Sequence, residues 1–77
     1  MIIKPLSTEY AADNAAIAAA RVVRLVNTGA TEKVAIGNST PAELTILANT
    51  SVVIEKEVGA AVAATGSVLA TIVAFTN

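Results

Sequence analysis

Short runs in which apolar side chains alternate with polar or charged ones recur along the chain, most clearly from Ala20 to Asn27. Successive side chains of a β-strand point to opposite faces, so this pattern predicts a strand with Arg21 and Arg24 on opposite sides. Similar runs cover residues 32–36, 44–46, 51–56 and 67–75. Turn-forming residues such as Asn27-Thr28-Gly29 separate them every 8–12 residues, a spacing typical of all-β sandwiches and barrels.

The run from Ser67 to Phe75 is apolar on both faces. A strand of this kind is buried on both sides, so we expect it at the centre of a sandwich or at a contact with another chain. Alternation along all the predicted strands also selects a core. Its predicted members are Val23, Leu25, Val34, Ile36, Leu44, Ile46, Val52, Ile54, Leu69 and Val73.

The first twenty residues do not follow this pattern. Residues 1–8 are predicted to form an extended arm, because Ile2 and Ile3 favour strand and Pro5 cannot donate a hydrogen bond inside a central ladder. Residues 9–20 are rich in alanine, which favours a helix with Asp13 as its N-cap, although a loop or edge segment fits as well. We therefore predict a small Ig-like β-sandwich or partly open barrel over residues 9–77, preceded by this arm.

The size and composition of the chain indicate that it completes its core against a partner. A domain of 77 residues buries only about 60–65% of the surface of its unfolded chain. Small domains compensate with disulfides, metals or oligomerisation, and the sequence has neither Cys nor His. Much of the apolar content is alanine, and the only aromatic residues are Tyr10 and Phe75. We expect a homo-oligomer.

Charge and hydropathy exclude two classes of partner. The formal net charge is −1, and the five cations are scattered among six acids, so phosphate-driven binding of nucleic acid is not expected. The uncharged segment 58–77 has the length of a membrane span, but the turn Thr65-Gly66-Ser67 divides it into two short β-type runs. No membrane association is expected, and the N-terminal residues do not resemble a signal peptide.

The sequence offers little to catalysis. Without Cys or His, neither a Ser/His/Asp nor a Cys/His set can be assembled, and the acids are too dispersed for a metal site. Glu55 and Glu57 form the one carboxylate pair on a strand face, which is more simply a solvated strand end. The sequons at Asn38 and Asn49 are more simply Asx-type turns. We expect no enzyme activity and no cofactor.

Three segments resemble very short virion proteins of tailed phages, notably marine and cyanobacterial ones. They are Arg21-Val-Val-Arg-Leu-Val-Asn-Thr-Gly-Ala30, Ser51-Val-Val-Ile-Glu-Lys56 and Ala63-Ala-Thr-Gly-Ser-Val-Leu-Ala-Thr-Ile-Val-Ala-Phe75. The similarity covers most of the chain from Arg21 on, through motifs of low specificity. It implies a capsid decoration or cement protein, located in the virion, whose partner is the major capsid protein or another virion protein.

Two alternatives remain open: a neck- or tail-associated structural protein, and a small soluble adaptor that binds peptide or carbohydrate at a sheet edge. The scarcity of aromatic residues disfavours sugar binding. For contact with a partner, the sequence singles out the arm residues, one strand cation that needs an acid, and the sole phenylalanine. These candidate interface residues are Ile2, Ile3, Pro5, Arg24 and Phe75.

Overall fold

A computed structural model describes residues 2–64 and 67–76. The ends of the chain, Met1 and Asn77, and Thr65-Gly66 of the predicted turn lie outside the described residues. In chain order the elements are β1 (Ile2–Pro5), β2 (Tyr10–Ala11), α1 (Ala15–Ala18), β3 (Val22–Asn27), β4 (Glu32–Ile36), β5 (Ala42–Ile46), β6 (Ser51–Glu55), β7 (Val62–Ala63) and β8 (Val68–Thr76). The predicted all-β class is confirmed.

The strands form two antiparallel sheets. In the first sheet the order is β1-β8-β3-β6, and β2 pairs with β8 beside β1. In the second sheet the order is β5-β4-β7. The described strands do not close into a barrel, so of the two predicted architectures the sandwich-like one is observed.

The core lies between the two sheets. Val23 and Leu25 of β3 are fully buried there, opposite Val34 and Ile46 of the second sheet. Ile36, Leu44, Val52 and Ile54 of the predicted core are partly buried and pack against this cluster. Alternation along β3, β4 and β5 therefore assigned the core face correctly.

For β8 the prediction of Leu69 and Val73 is only partly right: Val73 is buried, at 4% exposed, but Leu69 is only partly buried and neither belongs to the core cluster. Leu69 and Val73 alternate with Val68 and Ala70, and it is Val68 and Ala70 that lie in the core, each with an exposed fraction of 0%. Because both faces of β8 are apolar, alternation alone could not say which face points inward. Strand β8 is central, as predicted, since it pairs with β3 on one side and with β1 and β2 on the other.

The alanine-rich segment contains a single helical turn. Asn14, rather than the predicted Asp13, caps α1, and its side-chain oxygen accepts a hydrogen bond of 2.8 Å from the amide of Ala16. Ile17, the one large apolar residue in this segment, is fully buried. The short helix thus closes one end of the core by inserting Ile17 between the sheets.

One polar side chain organises the other end of the core. Asn27 is fully buried at the end of β3, and its amide donates to the carbonyls of Ala30 (2.7 Å) and Ile46 (3.0 Å). Its side-chain oxygen accepts a hydrogen bond of 2.9 Å from the amide of Gly29. These bonds fix the β3–β4 turn and attach it to the end of β5. A Cβ atom at Gly29 would lie 2.8 Å from the Cβ of Ser67, so this tight turn requires glycine.

Candidate interaction surface

Four of the five candidate interface residues lie on one face of the first sheet. The register pairs Ile3 with Phe75 and Pro5 with Val73, and paired residues of an antiparallel ladder share a face. Thr71 lies two positions from Val73 along β8, so it is on the same face, and it pairs with Arg24 of β3. Ile2 pairs with Thr76 and therefore belongs to the opposite face, where it is 67% exposed.

This face, called the outer face below, points away from the core. Register and alternation assign to it Ile3, Pro5, Val22, Arg24, Val26, Ser51, Val53, Glu55, Leu69, Thr71, Val73 and Phe75. In a sandwich that stands alone, strands carry polar residues on the side away from the core. The outer face is instead mostly apolar, which is typical of a surface that another chain covers.

Exposure on the outer face rises from its centre to the β1 side. Val73, which pairs with Pro5 of β1, and Thr71, which pairs with Arg24 of β3, are 4% and 9% exposed. Ile3 and Phe75, paired at the end of β1, are 43% and 46% exposed. As cross-strand partners, these two exposed side chains form an apolar rim of the outer face. The predicted central position of β8 is observed, and a contact of its outer face with another chain stays a prediction.

Two charged residues stand on the otherwise uncharged outer face. Arg24 is half-buried between Val53 and Thr71, and Glu55 is the diagonal neighbour of Arg24 on β6. Within the described part of the chain, neither residue forms an ion pair or a side-chain hydrogen bond. No described residue of the same chain therefore supplies an acid that pairs with Arg24.

Strand β1 gives the first sheet a blunted edge. Within the segment predicted as an arm, residues Ile2–Pro5 are extended and pair with β8 as strand β1. All four residues of β1 are exposed. Pro5 lacks the amide that an added strand would need, which discourages further strands from joining there. Just after β1, the amide of Leu6 donates to the carbonyl of Ile72 (2.7 Å), and the amide of Ile72 donates to the hydroxyl of Ser7 (3.1 Å). These two bonds hold the chain after β1 against β8.

A second surface is an open groove of about 770 Å³. It lies where the start of β5 and the end of β6, edge strands of different sheets, meet residues 37–40 and 56–60. Its apolar lining includes Leu44, Ile54 and Val58, and Val58 is 66% exposed. Val62, by contrast, is 3% exposed and lies in the core, because its strand β7 pairs with β4.

Lys56 borders this groove and is buried, which the sequence did not lead us to expect. Its ammonium group donates to the carbonyls of Ala18 (2.7 Å) and Ala20 (2.6 Å), at the end of α1. Desolvation lowers the pKa of Lys56 from its usual value. The signal was available: Lys56 shares its strand face with Val52 and Ile54, which point inward. Its neighbours Glu55 and Glu57 are exposed, as a solvated strand end would be.

The two sequon asparagines have structural roles. The side chain of Asn38 bonds to the carbonyl of Gly59 (3.1 Å) and the amide of Ala61 (3.2 Å), so it bridges two loops instead of forming the predicted Asx turn. Asn49 occupies the left-handed region with φ of 59°, in the turn between β5 and β6. Among residues 2–64 and 67–76, no cluster of acids could hold a metal ion. No helix in the same ranges is long and apolar enough to cross a membrane.

Comparison of the chain with protein-family models, with curated proteins and with solved structures returned no match.

Proposed function

We propose that this chain is a non-enzymatic structural component of a tailed-phage particle, namely a decoration or cement protein that binds and stabilises the head. The observation that carries the proposal is the outer face of the first sheet, an apolar surface directed away from the core. Burial of apolar area drives most protein association, at about 25 cal/mol per Å². A chain with this surface is suited to permanent assembly.

The small size of the chain fits the same role. A decoration protein needs a complementary surface and many copies, and avidity across a repetitive shell then adds to a modest affinity at each site. The resemblance of the strand segments to short virion proteins selects the phage particle among possible assemblies. The major capsid protein is the proposed partner on the shell, and the virion is the proposed location.

The direct test is mass spectrometry of purified particles of the phage that encodes the chain. The proposal requires the chain in the particle at a copy number comparable to that of the shell protein. Separate fractions of heads and tails distinguish a head protein from a neck or tail protein. Absence of the chain from purified particles, at a sensitivity that detects minor virion proteins, would overturn the proposal.

The groove favours a second candidate function, that of an adaptor that binds an extended peptide. A peptide could pair with the edge of β5 or β6 while its side chains contact Leu44 and Ile54, as in β-strand addition. Binding of strand-forming peptides that Leu44→Lys abolishes and Val53→Lys leaves intact would support this function. Loss through Val53→Lys alone would assign the binding to the outer face.

A further inference from the structure

We infer that the outer face of the first sheet binds the same face of a second copy of this chain, with Arg24 of each copy paired to Glu55 of the other. This inference deepens the proposed function, since it names the partner that covers this surface. It rests on the charge pattern of the face, its size and its register.

The charges of the outer face complement themselves. Arg24 and Glu55 are the only charged positions that the register places on this face, and they carry opposite signs. A foreign partner with an acid opposite Arg24 would need a second, basic group opposite Glu55. A second copy carries both groups at the required separation. Two-fold symmetry then forms the pair twice, because each contact in a symmetric dimer occurs in both directions.

The geometry of the sheet permits this arrangement. Packed sheets lie about 10 Å apart, and the side chains of Arg and Glu together span such a gap. Diagonal neighbours across two strands are about 7–8 Å apart. A two-fold axis can lie in the plane of the interface and pass midway between Arg24 and Glu55, at right angles to the line that joins them. It then places Arg24 of each copy opposite Glu55 of the other copy. The same axis passes close to Val53, which pairs with Arg24 in the register, so that Val53 of one copy faces Val53 of the other.

The dimensions of the molecule set an upper limit on the area of this face. The two longer dimensions of the molecule, 31 and 28 Å, bound its broad side at about 870 Å². A standard interface buries about 800 Å² on each partner. A single interface of standard size would therefore occupy most of the broad side. Contact with the shell is left to the second sheet, the loops and the groove side.

The test uses charge reversal and mixing, with native mass spectrometry as the readout of association. Arg24→Glu gives a face with two acids, and Glu55→Arg gives a face with two bases. Each variant alone should associate at least about tenfold more weakly than the wild type, because like charges meet twice in every dimer. An equimolar mixture should form a heterodimer, since both interchain pairs are then of opposite sign.

Only a contact between chains predicts that mixing the two single variants restores association. A pair within one chain would be restored in the double variant Arg24→Glu/Glu55→Arg but not by mixing. Association that the double variant restores and the mixture does not would therefore overturn the inference. A wild-type chain that stays monomeric at hundreds of micromolar overturns it as well. So does association that neither single reversal weakens. The presence of the chain in particles is measured separately, so failure of the dimer and failure of the virion function remain distinguishable.

A second variant keeps the test valid if either reversal prevents folding. The chain contains no cysteine, so Val53→Cys introduces a single thiol on the predicted axis. A short bis-maleimide reagent should join two such chains efficiently. The matched control is Thr45→Cys, on an exposed position of the second sheet. Equal cross-linking of the two variants would contradict the arrangement.

Discussion

Replacing Asn27 with alanine should destabilise the domain severely, because Asn27 is the polar side chain on which one end of the core depends. The substitution removes three hydrogen bonds, to Gly29, Ala30 and Ile46, from a side chain with no exposed surface. Leaving a buried partner unsatisfied costs about 1–3 kcal/mol. Ala30 is exposed, so water can replace its bond, while the bond to Ile46 is buried. We expect a loss of about 3 kcal/mol.

A loss of this size is large for the chain. At about 0.05–0.15 kcal/mol per residue, 77 residues provide roughly 4–12 kcal/mol of total stability. The assay is urea unfolding followed by circular dichroism, with all variants at one chain concentration because association adds stability by mass action.

The matched control for this prediction is Asn38→Ala. Asn38 also donates and accepts one bond each with distant backbone groups, but it is exposed, so water replaces the lost partners. We expect the control to lose about 1 kcal/mol or less. Equal losses at the two positions would refute the reasoning that burial, rather than the number of hydrogen bonds, sets the cost.

The remaining predictions concern the core, the buried lysine and the rim. Leu25→Ala, at a fully buried position, should cost about 2–5 kcal/mol in urea unfolding, and a near-neutral result would show that the face of β3 was misassigned. Lys56 has a lowered pKa when folded, so the unfolded chain binds the proton more tightly between that pKa and 10.5. Wild-type stability should therefore rise with pH in that window relative to Lys56→Met, and an unchanged difference between the two proteins would contradict the burial of the ammonium group. Phe75→Ala should weaken subunit association more than it lowers the free energy of unfolding, because this side chain is 46% exposed. Equal losses in both would assign Phe75 to the core of its own domain.

Alternation along the sequence was sufficient to predict the fold class and most strands. The predicted strand 32–36 agrees with β4 at both ends, and the run 51–56 agrees with β6 to within one residue. Alternation did not predict which face of β8 points into the core. Both faces of β8 are apolar, so only its pairing with β3, which has a distinct inner face, decides that Val68 and Ala70 point inward.

The sequence predicted individual residues of the interaction surface, but not that they lie on one face. Ile3, Pro5, Arg24 and Phe75 come from three strands, and strand order and register bring them onto one face. No local pattern reports which strands pair over such sequence distances. The roles of Asn27 and Lys56 are likewise set by tertiary contacts, with the carbonyls of Ile46 and Ala18, that local propensity does not describe.

The central claim is that another chain covers the outer face of the first sheet, and thiol labelling tests it most directly. Val26→Cys places the only thiol of the chain on the outer face, and Thr45→Cys places it on the exposed side of the second sheet. We expect the thiol at position 26 to react rapidly when the chain is diluted below its association range and to be protected in the associated state. The thiol at position 45 should react equally in both. Equal reactivity of the thiol at position 26 in the two states would contradict the account.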